Sequence, residues 1–314
     1  MIQKPYIGNL SKMAISAAIL LACFPGVSRA QQSGQNTYAS VEEASKALVN
    51  AAEKNDETAL LAVLGPDGKK IISSGDPAED LENRTNFVKR YQVMHRFVKE
   101  PDDSITMYIG AENWPSPIPL VEKNGKWYFD TATGRKEILY RRIGQNELSA
   151  IRVCQELVAA QKEYFSKEGN QYAGKFTSDP GTRDGLYWPT SDNKGESPVG
   201  PLVANADDSK AGAEPFRGYY FRILSAQGKG APGGALSYVP DGKMTKGFAF
   251  VAYPAVYRDS GVMTFLVAQD GVVYEKDLGK PTVNRAKSMK DYDPDATWRK
   301  SNIAEEFTDE HKTE

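Results

Sequence analysis

The stretch PFRGYYFRILSAQG, residues 215–228, decides how the second half of this chain folds. Read with period two, Phe216, Gly218, Tyr220, Arg222 and Leu224 share one face, and Arg217, Tyr219, Phe221 and Ile223 share the other. Both faces are largely apolar, the pattern of a central strand covered on both sides. One face is expected to meet the helical stretch 146–165, and the other the polar excursion that carries Tyr187 and Trp188. The arginines are expected to snorkel or to pair with acids at the strand edge. The competing reading makes Tyr219, Phe221 and Trp188 an exposed aromatic platform for peptidoglycan sugars or a partner strand.

Working outward, Leu236–Val239, Gly247–Tyr253 and Val262–Gln269 read as further strands, and Asp270-Gly271 turns into another at Val272–Lys276. Residues 168–214 are rich in Gly, Pro, Asp and Ser and read as a long surface excursion. Residues 284–314 form a charged tail, expected to be loosely held. Upstream, a long helix is expected from about Arg135 to Lys167, with Leu148, Ile151, Cys154, Leu157, Val158 and Phe165 along one apolar stripe.

The N-terminal part carries a different period. After a flexible leader at 31–39, Ser40 caps a helix whose apolar face holds Val41, Ala44, Leu48 and Ala51. A second helix is expected over Glu57–Leu64. A third runs from Asp80 to Met94, with Leu81, Phe87, Val88 and Tyr91 inward. Strands follow at Arg96–Lys99, Ile105–Ile109, Pro117–Glu122 and Lys126–Asp130, the last two joined by the hairpin signal Asn124-Gly125. The expected class is therefore α+β. Helices lie on a curved antiparallel sheet over 40–134, and the long helix and a C-terminal antiparallel sheet over 135–283.

The first 30 residues read as an export signal. Lys4 and Lys12 lead an apolar run from Met13 to Phe24, too short to span a bilayer comfortably, and Ser28-Arg29-Ala30 suits cleavage. Leu20-Leu21-Ala22-Cys23 offers a lipoprotein alternative anchored at Cys23, which Leu21 and Phe24 fit badly. Cleavage after Ala30 removes three of the 39 basic residues and leaves 36 against 41 acidic ones, a mature charge of −5. That balance argues against nucleic acid as a partner. No later run approaches a membrane span, and the single mature cysteine, Cys154, leaves no internal disulfide. A periplasmic or secreted location follows.

Three resemblances add to this reading. The hairpin PIPLVEKNGKWYFDT (117–131) resembles cone-shaped folds of the nuclear-transport-factor-two type. Asn146–Ile151 and Ala160–Tyr164 resemble the soluble part of the spine helix in pilin-like proteins, without the apolar N-terminal helix that pilus assembly uses. The order DGLYWP, PFRGYYFRILSAQG, APGGALSYV, GFAFVAYPAVYRDSGVMTFLV, QDGVVYEKDLG resembles a family of exported bacterial proteins catalogued as a domain of unknown function, family twenty-nine-fifty. That last resemblance covers nearly the whole mature chain and implies an envelope location.

Catalytic signals are sparse. His311 lies in the charged tail, and His95 sits where a helix meets a strand, with no Gly-x-Ser-x-Gly elbow to accompany it. Cys154 lies on an apolar helix stripe, where thiols are inert core. No Cys-x-x-Cys or His-x-x-x-His occurs, and Asp291, Asp293 and Asp295 lack the Gly and Glu that a calcium loop needs. Residues 228–234 carry glycines without the Gly-Lys-Ser/Thr of a phosphate loop. No cofactor or metal is expected. The leading expectation is a non-catalytic envelope binding or assembly module. The alternative is a hydrolase of envelope material using His95 or scattered acids. A concave mouth on the N-terminal sheet is the expected ligand pocket, with Tyr108, Trp114, Trp127 and Phe129 as lining candidates. Exported protein is expected to begin at Gln31. Intact-mass measurement checks this, and a diacylglycerol mass on Cys23 would replace cleavage with lipidation.

Overall fold

The computed structural model describes residues 31–189 and 195–301; the expected signal segment, Cys23, and the end of the tail with His311 lie outside them. The fold is α+β, with a long helix at 131–167 between an N-terminal and a C-terminal sheet. The chain divides between Ile138 and Leu139 into two compact units. Among the described residues, no helix is long and apolar enough to cross a membrane.

In the first unit, polar caps set the helix starts. Ser40 accepts from the Glu43 N–H at the head of α1 (Val41–Glu53), and Asp56 accepts from Ala59 N–H at the head of α2 (Glu57–Leu64). A short α3 (Lys69–Ile72) occupies part of what reads as loop, and α4 (Pro77–Val93) begins at the Asp76 cap. On α4 the expected inner residue Leu81 is exposed. Asp80 takes the inward position because its carboxylate closes the preceding loop by accepting from Ser74 N–H at 2.7 Å.

Strands β1 (His95–Lys99), β2 (Ile105–Ile109), β3 (Trp114–Pro115), β4 (Leu120–Lys123) and β5 (Lys126–Phe129) form one antiparallel sheet in the order β1-β2-β4-β5, with β3 on β2. Asn124 and Gly125 both take positive φ, the backbone that a two-residue hairpin turn needs. Leu48, Val88, Met107, Ile109, Leu120 and Phe129 fill the core. The helix α5 (Thr131–Lys167) starts four residues before the expected Arg135, because Asp130 caps it through Thr133 N–H and Oγ1. Gly134 is required there: a Cβ would stand 2.7 Å from Ile118 Cγ1.

In the second unit the stretch 215–228 is not one strand. Arg217 (φ 50) and Gly218 (φ 76) form a two-residue turn closed by Phe216 and Tyr219, which exchange both backbone hydrogen bonds at 2.9 and 3.0 Å. Strand β6 therefore starts at Tyr219 and ends at Leu224. It stands at one end of the sheet β13-β11-β10-β9-β6, rather than at its centre. The other members are β9 (Ala249–Pro254), β10 (Met263–Ala268), β11 (Val273–Asp277) and β13 (Arg299–Lys300). The free edge of β6 is partly closed by Phe221 N–H, which donates at 2.9 Å to the carbonyl of Ala206, the residue after the short helix α6 (Pro201–Asn205). The doubly covered interior strand is β9, whose six residues are all buried.

The two sheet faces are covered by different segments from those expected. Tyr219, Phe221, Phe250 and Phe265 share one face by register. Cys154 and Glu147 of α5 lie beside Tyr219 on this face, and Phe176 of the excursion meets Phe250 edge-on at 5.8 Å. Helix and excursion thus lie on one side together. The opposite face, with Arg222, Tyr253 and Tyr274, is covered by α7 (Thr282–Ser288) and the segment after it. Residues 284–301, expected to be loose, are held there: Ala286 and Tyr292 are buried, and Tyr292 meets the Tyr274 ring at 6.4 Å.

Arg222 fastens this cover. Its guanidinium donates to the carbonyls of Ala286 (2.9 Å), Lys287 (2.5 Å) and Met289 (3.3 Å), and its Nε lies 3.6 Å from buried Asp208. Asp208 also accepts from the Tyr253 hydroxyl and pairs with Lys287 at 3.3 Å. Burial, with the Asp208 contact next, pushes the Tyr253 hydroxyl well above the usual phenol range. A third small sheet joins β7 (Ala226–Gln227) to β8 (Leu236–Ser237) and, in parallel, to β12 (Asp291–Tyr292). Arg222→Leu leaves the carbonyls of Ala286, Lys287 and Met289 without their guanidinium donor and is expected to cost about 2–3 kcal/mol in urea denaturation. A loss below about 0.5 kcal/mol, the scale of a neutral surface change, would show that the cover holds without it.

Candidate functional site

The aromatic stretch itself supplies core. Tyr219 and Phe221 are fully buried, and Trp188 is 6% exposed with its indole N–H on the Gly195 carbonyl at 3.1 Å. None of the three offers a ring face to solvent, so they form packing and not a platform. On the N-terminal sheet, Trp127 and Phe129 share a face, with Phe129 fully buried in the core and Trp127 packed at its margin. Trp127 also pairs its backbone with Tyr38. Trp114 joins that face by pairing with Ile109, at 36% exposure. Tyr108 points the other way, because its neighbours Met107 and Ile109 face the core; the Arg96 guanidinium covers its ring at 4.3 Å. The structure thus brings three of these four candidates to one face, and one of the three is core.

His95 stacks on Tyr91 at 3.9 Å, and its Nδ1 lies 3.1 Å from the Tyr91 carbonyl. Cys154 is fully buried, and that burial pushes its thiol up to about 12. A thiol so placed carries no thiolate near neutral pH. Among the described residues, no group of three or more His, Cys, Asp and Glu side chains could hold a metal ion. Asp293 instead accepts from Gly230 N–H at 2.7 Å.

A concave feature that sequence reasoning missed lies in the second unit. A cavity of about 410 Å³ is bounded by the end of α5, the start of the excursion, the end of β6 and the loop 239–244. Tyr164, Tyr172, Ile223, Val239 and Met244 supply its apolar wall. Gln171, Lys175, Asp184, Ser225 and Lys243 supply its polar groups.

Each wall is held by a specific local device. Gln161, fully buried on α5, grips Ala173 twice: its amide donates to the Ala173 carbonyl and accepts from the Ala173 N–H, both at 2.8 Å. This fixes the chain next to Tyr172, whose N–H donates to the Met244 carbonyl at 2.7 Å. The Tyr172 ring is wedged between Phe165 (4.6 Å) and Phe248 (4.8 Å). The Tyr164 hydroxyl donates to the Arg183 carbonyl at 2.6 Å, and burial pushes that hydroxyl above its ordinary range. Asp241 and Gly242, both at positive φ, form the turn that brings Lys243 to the mouth.

Lys175 closes the rim with two carboxylates, Asp184 and Asp179, each at 2.7 Å. At Asp184, burial pushes the carboxyl up. The Lys175 ammonium, the Thr182 hydroxyl and the Asp179 N–H outweigh it and hold the group well below the usual carboxylate range. Hydrogen bonding to Asp179, then to Asp184, raises Lys175 above the usual ammonium range. Four polar groups remain uncommitted: the Gln171 amide, the Tyr172 and Ser225 hydroxyls and the Lys243 ammonium make no hydrogen bond among the described residues. The arrangement can bind. It does not set a nucleophile beside a base.

A family model described as a protein of unknown function (DUF2950) matches residues 35–301. No curated protein and no solved structure matches the chain. The rim pair yields a pH prediction. A carboxylate whose folded value is depressed contributes stability that is complete above its ordinary value near 4 and is lost as pH falls below it, through the folded value. Comparing wild type with Lys175→Met in urea, the difference is expected to be under about 1 kcal/mol for so exposed a pair, flat from about pH 5 to 9. It should shrink below about pH 4. A difference that stayed constant into strong acid would show that the rim does not depend on the pair.

Proposed function

The chain belongs to the DUF2950 family of proteins of unknown function, and from that premise we propose that it is a non-catalytic binding module of the cell envelope. The observation that carries the reading is the cavity of about 410 Å³, of the size that small-molecule sites have, with a braced apolar wall and four unspent polar groups. Such a wall is already ordered before a ligand arrives, so binding costs little further entropy. The envelope location rests on the basic leader, the short apolar run and the Ser28–Ala30 cleavage pattern. The hydrolase alternative gains nothing from His95, whose ring is stacked on Tyr91 and whose Nδ1 lies against a backbone carbonyl.

Two measurements test this. Expressed from its full-length gene in a bacterium, the protein is expected in the osmotic-shock fraction. Purified, it is expected to gain thermal stability from at least one member of a panel of envelope-type glycans, lipids and peptides. A ligand at about 100 times its Kd adds about 2.7 kcal/mol. Val239→Trp, which fills the cavity from a half-exposed position, should remove that gain. Turnover of a fluorogenic glycoside, ester or peptide that disappears in His95→Ala would instead make the protein a hydrolase.

A further inference from the structure

We infer that the cavity in the second unit receives a short uncharged saccharide. The inference rests on the reading of that cavity as a binding site and specifies its ligand. Its volume of about 410 Å³ suits a ligand of one or two sugar rings. The choice of class comes from the chemistry of the wall.

An alkyl chain or a flat apolar ring would bury the Gln171 amide and the Tyr172 and Ser225 hydroxyls against nothing that can bond to them. Each such group left unpaired in a dry site costs about 1–3 kcal/mol, which offsets the gain from the apolar contacts. A charged ligand fares no better. Lys175, Lys243 and Asp184 line the cavity and Asp179 pairs with Lys175 at its edge, two charges of each sign. Lys175 is already engaged by both carboxylates, so an anion meets Asp184 and Asp179 beside Lys243, the uncommitted cation among the described lining residues. A cation meets Lys243 and finds both carboxylates already taken by Lys175.

A neutral polyol with an apolar side matches what remains. The C–H face of a sugar ring is weakly polar and packs against aliphatic side chains, here Ile223 and Val239. Its hydroxyls each donate and accept. They answer a wall whose free groups are one amide that does both, two hydroxyls that do both, and one ammonium that only donates. The Gln171 amide, the Ser225 hydroxyl and the Lys243 ammonium stand on different segments, the excursion, the chain just after β6 and the 239–244 loop. A ligand that bridges them is read at several hydroxyls at once.

The experiment is calorimetric titration of the mature protein with N,N′-diacetylchitobiose, cellobiose and maltose, with 1-anilinonaphthalene-8-sulfonate as a separate apolar probe. At least one disaccharide is expected to bind with Kd below about 1 mM. Gln171→Ala and Ser225→Ala, whose side chains hold no hydrogen bond in the fold, are each expected to weaken it at least fivefold with the melting temperature unchanged. If no disaccharide binds while the dye binds and Val239→Trp abolishes it, the saccharide class is overturned and the binding-site reading stands. If neither class of probe binds, both fall. Saccharide binding that all three variants leave untouched would place the sugar elsewhere and overturn the assignment.

Discussion

The second unit depends on one constraint: its sheet has no face to give to water. Every residue of β9 is buried, so both sides of Ala249–Pro254 need a cover that is itself anchored. On one side α5 does this with an apolar stripe centred on Cys154 and Leu157. On the other the cover is a seven-residue helix, too short to be stable by itself. It is held by a half-buried charged group: Arg222 on the sheet bonds three carbonyls at the end of α7, and Asp208 balances the arginine. An arginine can do this because its planar fork presents several donors at fixed angles, where a lysine presents one charged point.

The cavity follows from the same arrangement. Helix and excursion share one sheet face, so the chain that leaves α5 must turn back along the helix that precedes it. Gln161 makes that return path specific by reading both backbone groups of Ala173. Where the returning chain diverges from the end of β6 and the 239–244 loop, side chains no longer fill the space. The hollow is thus a by-product of how the excursion is routed, lined by whatever those segments carry.

Much of the fold was legible in the sequence. The helix at Glu57–Leu64 and the strand at Ile105–Ile109 have the bounds that capping and period assign to them. The Asn124-Gly125 hairpin follows from turn chemistry. Other features were hidden for identifiable reasons. Arg217 holds a left-handed position that Asn or Gly usually takes, so the turn at 217–218 read as strand. Residues 284–301 read as solvated because charges dominate them. Ala286, Met289, Tyr292 and Trp298, interleaved among those charges, are the apolar signal that marks a surface cover. Gln161 looked like a polar residue on a helix, since its partner is a backbone whose position no spacing rule gives. The cavity could not be read because its wall gathers five separated segments. Among the N-terminal candidates, strand parity puts Trp127 and Phe129 on one face, and Tyr108 lies on the other because its strand neighbours Met107 and Ile109 take the core positions.

The order in which the chain is made acquires a meaning from the C-terminal cover. Arg222 waits 64 residues for Ala286, and the strand β7 waits until Asp291 and Tyr292 for its parallel neighbour. A chain emerging from its N-terminus therefore completes α5 and four strands of the sheet while one sheet face, with Tyr253, Leu266 and Tyr274, still lacks its lid. Contacts of such long sequence separation form late. The unit closes only when nearly all of it has been delivered. Until then the nascent sheet is a sticky surface, the kind of intermediate that folding helpers recognise. A stop codon before Thr282 would leave that surface permanently open, and so mark the truncated product for removal rather than for partial service.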